Sequence, residues 1–145
     1  MANERHVRDV MTPNPQCVTE KDSLREVARI MKDQDTGAVP VVNGKKIIGM
    51  ITDRDIVVRL IAEEKNPLEA TVKDAMTRSV SKVKEDATIS EVVTLMSSSE
   101  IRRVPVVNNR DEIVGIVSIG DLAAGGEKSK VGQAMEQISQ APPNN

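Results

Sequence analysis

The sequence of 145 residues contains no phenylalanine, tyrosine or tryptophan. A ligand of this chain therefore cannot be stacked on an aromatic ring, as bases of single-stranded nucleic acids commonly are. The 20 basic and 22 acidic residues give a net charge of −2, which leaves no large basic excess for a nucleic-acid backbone or an anionic membrane. These two deficits argue against nucleic acid as a partner.

Residues suited to disulfides, metals or catalysis are also scarce. The single cysteine, Cys17, excludes an intramolecular disulfide framework and a thiolate zinc site within one chain. One histidine and one cysteine do not supply a nucleophile, a base and an orienting group. Phosphate-binding glycine loops and zinc-type spacings are missing as well. The sequence therefore predicts no catalytic residues, no metal ligands and no enzymatic activity.

Long apolar segments are missing too. The longest apolar runs, Val39–Val42 and Ile47–Ile51, are far shorter than the about 20 residues that span a bilayer. The first six residues contain no apolar signal region. We therefore expect a cytoplasmic protein without a membrane partner.

What the chain does contain is an internal repeat. Val7–Thr12 is similar to Val72–Thr77, and Val39–Asn43 is similar to Val104–Asn108. Such self-similarity indicates a duplicated structural unit. Copies of about 55 residues bury too little surface to be stable alone, so we expect them to share a core. The sequence predicts one module over 1–145, with copies at 7–64 and 72–126 and a tail at 127–145.

Hydrophobic spacing predicts the elements of each copy. Ser23-x-x-Glu26 and Thr88-x-x-Glu91 are capping boxes, and each is followed by apolar residues at helical spacing. These apolar residues are Leu24, Val27, Ala28 and Met31 in one copy and Ile89, Val92, Val93 and Met96 in the other. Asn43-Gly44 and Asn108-Asn109 lie between β-branched runs, which predicts hairpins. Each copy therefore has the order strand, helix, strand, strand, helix, an α+β arrangement.

Three further elements complete this prediction. Short strands are expected around 16–19 and 82–84, ahead of the first helix of each copy. A second helix is expected to begin near Thr52, with Ile56, Val57, Leu60 and Ile61 on one side, and its counterpart near Ser118. In the tail, 128–139 could form an amphipathic helix through Val131, Met135 and Ile138, and 141–145 has the composition of a disordered end.

The strongest local signal is a turn between strand and helix that occurs in both copies. The segments Gly49–Asp55 and Gly115–Asp121 share the pattern glycine, two apolar residues, Ser or Thr, two residues, aspartate. Free amides at such a helix start would favour phosphate, and a carboxylate one turn later could accept hydrogen bonds from both hydroxyls of a ribose. The alternative is that both turns are only capping boxes.

These motifs, in this order in both copies, resemble the CBS family, named after cystathionine β-synthase. The resemblance covers nearly the whole chain and implies a CBS pair, or Bateman module. Such modules have two motifs, each of the form β-α-β-β-α, packed with pseudo-twofold symmetry. The resemblance further implies clefts for AMP, ADP or ATP, sometimes S-adenosylmethionine. Within them, Thr52 and Ser118 would contact phosphate, and Asp55 and Asp121 would contact ribose.

The remaining candidate residues follow from the same resemblance and from the lack of aromatic residues. An adenine ring would lie between aliphatic side chains, although ordinary core packing also explains each of them. These candidates are Ala38, Val39 and Ile51 in the first cleft and Val104 and Val117 in the second. Phosphate charge would be met by Arg102 and Arg103 in the second copy and by Arg54 in the first. Because the cations differ, we expect the two clefts to differ in affinity.

The sequence thus predicts a regulatory module without catalysis that binds adenine nucleotides and signals to an unidentified protein partner. Without aromatic stacking, micromolar to millimolar affinity is expected. A homodimer is implied by the resemblance alone. Two alternatives remain open: an interaction module with empty clefts, and an enzyme acting on a nucleotide, for which no residue set is found.

Overall fold

The computed structural model describes residues 5–124 together with Gly132, Met135 and Ile138. The helices are α1 (Leu24–Gln34), α2 (Asp53–Ile56), α3 (Ile89–Ser99) and α4 (Ile119–Ala124). The strands are β1 (Thr12–Pro13), β2 (Ala38–Asn43), β3 (Lys46–Thr52), β4 (Val83–Lys84), β5 (Arg103–Val107) and β6 (Ile113–Ser118). This mixture of helices and strands confirms the predicted α+β class.

The chain divides into two compact units whose membership differs from the sequence copies. Residues 5–14 belong to the unit that contains 81–124, and residues 15–80 form the other unit. The segment that opens each copy therefore packs with the other copy. The amide of Val7 donates to the carbonyl of Ala87 at 2.8 Å, and the amide of Val72 donates to the carbonyl of Asp22 at 2.9 Å. The two segments dock in the same way because they are themselves repeats.

The sheets of the two units follow one plan. In the unit containing 81–124 the strand order is β1-β6-β5-β4, with β4 parallel to β5 and the other pairs antiparallel. In the unit of 15–80, β2 and β3 form an antiparallel hairpin. Single bridges, Val18 to Val41 and Met50 to Thr77, stand there in place of the two outer strands. The strand predicted around 16–19 is therefore reduced to one bridge, whereas the strand predicted around 82–84 is β4.

Each unit has its own hydrophobic core, and the two first helices contribute to these cores differently. All four predicted residues of α3 (Ile89, Val92, Val93 and Met96) are buried, which confirms that face. In α1, Leu24 and Val27 are buried as predicted, and Met31 packs at the edge. Ala28 is exposed and Ile30 is buried instead, so that part of the prediction is wrong. Burying isoleucine removes more apolar surface from water than burying alanine.

The helix after β3 departs from ideal geometry. After α2 the chain forms a π-helical segment, Val57–Ile61, in which the amide of Ala62 donates to the carbonyl of Val57 at 2.8 Å. This wider turn changes the angular spacing of side chains. Leu60 is buried as predicted, but Val57 and Ile61 are 52% and 54% exposed, so the prediction that they share its buried side is wrong.

Three positions of the predicted C-terminal helix fall within the described residues. Gly132, Met135 and Ile138 are helical, and Ile138 is buried in the core of the unit containing 81–124. Val131 and the end segment 141–145 lie outside the described residues. Within the described part of the chain, no helix has the length and apolar character needed to cross a bilayer.

Candidate functional site

Both Ser/Thr-x-x-Asp turns lie where a hairpin strand passes into a helix. At the end of β3, the amide of Asp55 donates to Thr52 Oγ1 at 3.1 Å, and the amide of Thr52 donates to Asp55 Oδ2 at 2.9 Å. At the end of β6, Ser118 and Asp121 make the same two bonds, at 3.1 and 2.9 Å. Both turns are therefore capping boxes, and capping engages one oxygen of each aspartate.

Capping bonds alone do not distinguish these turns from other helix starts. Thr88 and Glu91 form a capping box at the start of α3, and Thr71 and Asp74 form one at a short 3-10 turn. The Thr71-x-x-Asp74 pattern is readable in the sequence, and sequence reasoning missed it. What sets the two candidate turns apart is their position at the end of a sheet strand, next to a neighbouring strand that can add side chains.

The neighbouring strand contributes different residues in the two units. Ser118 is paired across the sheet with Arg103, whereas Thr52 is paired with Ala38. Arg103 is half-buried, and Arg102 and Arg54 are exposed. Within the described residues the side chains of these three arginines make no hydrogen bond or ion pair, so their charge is available to an anion. The structure therefore brings a cation beside the second turn through its sheet register.

The apolar candidates form cross-strand pairs just before each turn. Val39 is paired with Ile51, and Val104 with Val117. All four side chains are at most 1% exposed and belong to the two cores, and Ala38 is also buried. The structure thus shows that these residues are buried, whereas their contact with an adenine ring stays a prediction.

The two turns differ in which of their backbone amides are free to donate a hydrogen bond to a ligand. In the first turn, the amide of Asp53 donates to the carbonyl of Gly37 at 3.0 Å, and the amide of Arg54 donates to Asp53 Oδ1 at 2.8 Å. Together with the capping bonds, these engage all four amides from Thr52 to Asp55, so the expectation of free amides is wrong there. In the second turn, Ile119 stands in place of Asp53 and provides no side-chain acceptor for the amide of Gly120.

The two aspartates also differ, because the carboxylate of Asp55 is more buried and accepts more hydrogen bonds than that of Asp121. Asp55 is 9% exposed, and its second oxygen, Oδ1, accepts a hydrogen bond from the hydroxyl of Thr77 at 3.2 Å. Asp121 is only half-buried, and among the described residues its carboxylate accepts only the capping bond from Ser118. Sequence reasoning missed Thr77, although its place in the repeated Met-Thr motif was a signal that the residue is structurally fixed.

Metal-binding side chains do not cluster in the described part of the chain. No group of three or more His, Cys, Asp or Glu residues there is arranged to hold a metal ion. Asp53 and Asp55 are close in sequence, but their carboxylates have different hydrogen-bond donors. Asp53 accepts from the amide of Arg54, and Asp55 accepts from Thr52 and Thr77.

Cys17 is expected to react slowly in the folded protein. Its thiol is half-buried and donates to the carbonyl of Pro15 at 3.3 Å, and burial raises the pKa of the Cys17 thiol. The reactive thiolate is therefore scarcer than in an exposed cysteine at the same pH. At about pH 8, iodoacetamide should alkylate the native protein at least about tenfold more slowly than the urea-unfolded chain. Mass spectrometry gives both rates, and equal rates would contradict this assignment.

Comparison with known proteins adds independent observations. The CBS domain model matches residues 7–62 and 72–125. The Bacillus subtilis protein YlbB is 41% identical over 137 residues, which cover 92% of this chain and 91% of YlbB. Hypoxic Response Protein I, whose crystal structure has two coordinated zinc ions, is 34% identical with a TM-score of 0.75, over 83% of this chain and 98% of that one. A protein of nearly the same name, Hypoxic response protein 1, comes from Mycobacterium tuberculosis.

A more distant structure shares the fold. The crystal structure of CBSX2 in complex with AMP has a TM-score of 0.74 at 20% identity, covering 86% of this chain and 98% of that chain; CBSX2 is from Arabidopsis thaliana. The family matches span most of both sequence copies, and YlbB is similar along almost its whole length. The chain therefore belongs to the CBS domain family and carries two CBS domains in tandem.

Proposed function

We propose that this protein is a regulatory module that senses AMP, ADP or ATP and does not catalyse a reaction. The observation that carries the proposal is the arrangement at the Ser118–Asp121 turn. Arg103 is paired with Ser118 across the sheet, and the capping bond engages only one of the two carboxylate oxygens of Asp121. The CBS domain model matches both copies, and relatives that match along most of their own length are not named as enzymes. The AMP in the CBSX2 structure supports an adenine nucleotide as the ligand class.

Each group at the second turn has a chemical role in this proposal. Asp121 accepts hydrogen bonds from the ribose hydroxyls, and Ser118 contacts phosphate through its hydroxyl. Arg103, helped by Arg102, neutralises phosphate charge, because guanidinium groups bind phosphate oxygens in pairs. The adenine lies against the aliphatic strand residues Val104 and Val117. At the first turn Thr52, Asp55 and Arg54 have the corresponding roles, with Ala38, Val39 and Ile51 beside the base.

A calorimetric titration tests this proposal. AMP, ADP, ATP and S-adenosylmethionine are each titrated into the wild-type protein, and a dissociation constant between micromolar and millimolar is expected for a nucleotide. A ligand at about 100 times its dissociation constant should also stabilise the fold by about 2.7 kcal/mol, which a thermal shift detects. No heat and an unchanged melting temperature with all four compounds would instead support an interaction module with empty clefts.

We further propose that the module is a cytoplasmic homodimer whose helical surface is read by another protein. Val57, Val58, Ile61 and Leu68 are exposed apolar residues on the π-helical segment and the turn that follows it. Because covering exposed apolar side chains removes their surface from water and lowers the free energy, we assign these residues to the dimer contact.

Ile61→Asp is expected to convert the dimer to a monomer, because it puts a charge into the apolar contact. Light scattering after size-exclusion chromatography measures the mass. Asn109→Asp, which adds the same charge at an exposed hairpin position, is the control and should leave the dimer intact. A monomeric wild-type protein, or a dimeric Ile61→Asp variant, would contradict the assignment.

A further inference from the structure

We infer that Thr77 sets the affinity of the first turn by occupying the ribose-binding oxygen of Asp55. This inference rests on the proposed function and concerns the regulation of the same site. Asp55 Oδ2 accepts the capping bond from Thr52, and Oδ1 accepts the Thr77 hydroxyl at 3.2 Å, so both oxygens are engaged. A ribose hydroxyl that binds Asp55 must therefore displace the hydroxyl of Thr77.

The main chain holds Thr77 firmly in this position. Thr77 and Met50 exchange two backbone hydrogen bonds, at 2.8 and 2.9 Å. The guanidinium of Arg59 donates to the carbonyls of Ala75 and Met76, at 3.0 and 2.6 Å. Because these bonds fix the backbone of Thr77, its hydroxyl stays beside Asp55 and can leave the carboxylate only by rotation of its own side chain. Its hydroxyl therefore acts as a built-in competitor of the ribose.

The second unit provides an internal comparison. Thr12 is the repeat counterpart of Thr77 and pairs with Ile116, as Thr77 pairs with Met50. Thr12 is exposed and, among the described residues, makes no hydrogen bond to Asp121. The second turn is consequently unmasked, and nucleotide should fill it first. Binding at the first turn costs the Thr77 contact, which links occupancy there to the segment that opens the second copy.

The test uses AMP as the probe and the full-length chain. In an Asp121→Ala background only the first turn keeps its ribose-binding aspartate, so a change in AMP affinity on substitution of Thr77 is assigned to that turn. Adding Thr77→Val removes the competing hydroxyl, and the AMP affinity should rise about tenfold, as expected for the loss of one hydrogen bond to a charged group. Thr12→Val in the same background is the matched control and should leave the affinity unchanged.

Each outcome separates this inference from the proposed function. If wild-type protein binds AMP but Thr77→Val does not tighten binding in the Asp121→Ala background, the inference is overturned and the proposed function stands. If Thr12→Val tightens binding equally, the effect is not specific to Thr77 and the inference is again overturned. If wild-type protein binds none of AMP, ADP, ATP and S-adenosylmethionine, both are overturned. Thr77→Ala, which also lacks the hydroxyl, serves if Thr77→Val does not fold.

Discussion

Replacing Gly49 by alanine is expected to lower the free energy of unfolding by about 3 kcal/mol. A Cβ at this position would lie 2.4 Å from the carbonyl oxygen of Thr77 and 2.5 Å from the Met76 side chain. That carbonyl accepts a hydrogen bond from the amide of Met50, so it cannot retreat without breaking the pairing. Urea unfolding followed by circular dichroism measures the loss.

Two other glycines calibrate the Gly49 result. A Cβ at Gly115 meets mainly the Met11 side chain, at 2.3 Å from Sδ, with the carbonyl of Thr12 at 3.0 Å. Because a methionine side chain can move, Gly115→Ala should cost less, about 1–2 kcal/mol. Gly120→Ala, whose added Cβ would make an ordinary contact with Ser118 Oγ at 3.6 Å, should be neutral or stabilising by up to about 1 kcal/mol. A Gly49→Ala protein as stable as wild type would disprove the docking of the Met76–Thr77 segment against β3.

Replacing Asp121 by alanine is expected to weaken AMP binding more than about tenfold, because the ribose hydroxyls lose a charged acceptor. Calorimetry with AMP measures this change. Asp55→Ala should have a smaller effect, since Thr77 already occupies the free oxygen of Asp55. The opposite ranking of the two variants would contradict the assignment of the second turn as the main site.

Asp121→Ala also removes a helix cap, so its effect on folding must be separated from its effect on binding. Glu91→Ala removes the carboxylate of the capping box at the start of α3, in the same unit. Both variants should lose similar stability, about 0.5–2 kcal/mol, in thermal unfolding. Only Asp121→Ala should lose AMP affinity, and a comparable loss in Glu91→Ala would show that the binding defect is indirect.

The elements that sequence predicts best are those with strong periodic patterns. The buried face of α3 and the two hairpins follow directly from apolar spacing and turn residues, and burial confirms the α3 face. The face of α1 is harder to predict, because Ala28 and Ile30 both fit a helical stripe and only the larger side chain is buried. The π-helical segment after α2 has no signature in the apolar pattern, so the sequence does not predict that Val57 and Ile61 are exposed.

At the candidate turns, the sequence predicts the turn residues but not their contacts with distant residues. The repeat identified Thr52, Asp55, Ser118 and Asp121, and both pairs are at strand ends as expected. Their surroundings depend on residues that are distant in sequence. Thr77 donates to Asp55, the carbonyl of Gly37 accepts from the amide of Asp53, and Arg103 is paired with Ser118 across the sheet. Neither these contacts nor the exchange of leading segments between the copies follows from local patterns, because both depend on how the chain folds back on itself.

The most direct test of the nucleotide site is an amide NMR titration of the ¹⁵N-labelled protein with AMP. The account predicts saturable shifts of the amides from Ser118 to Asp121 at AMP concentrations between micromolar and millimolar, with the Thr52–Asp55 amides responding only at higher concentration. Unchanged amide positions in both turns up to about 10 mM AMP, ADP or ATP would contradict it.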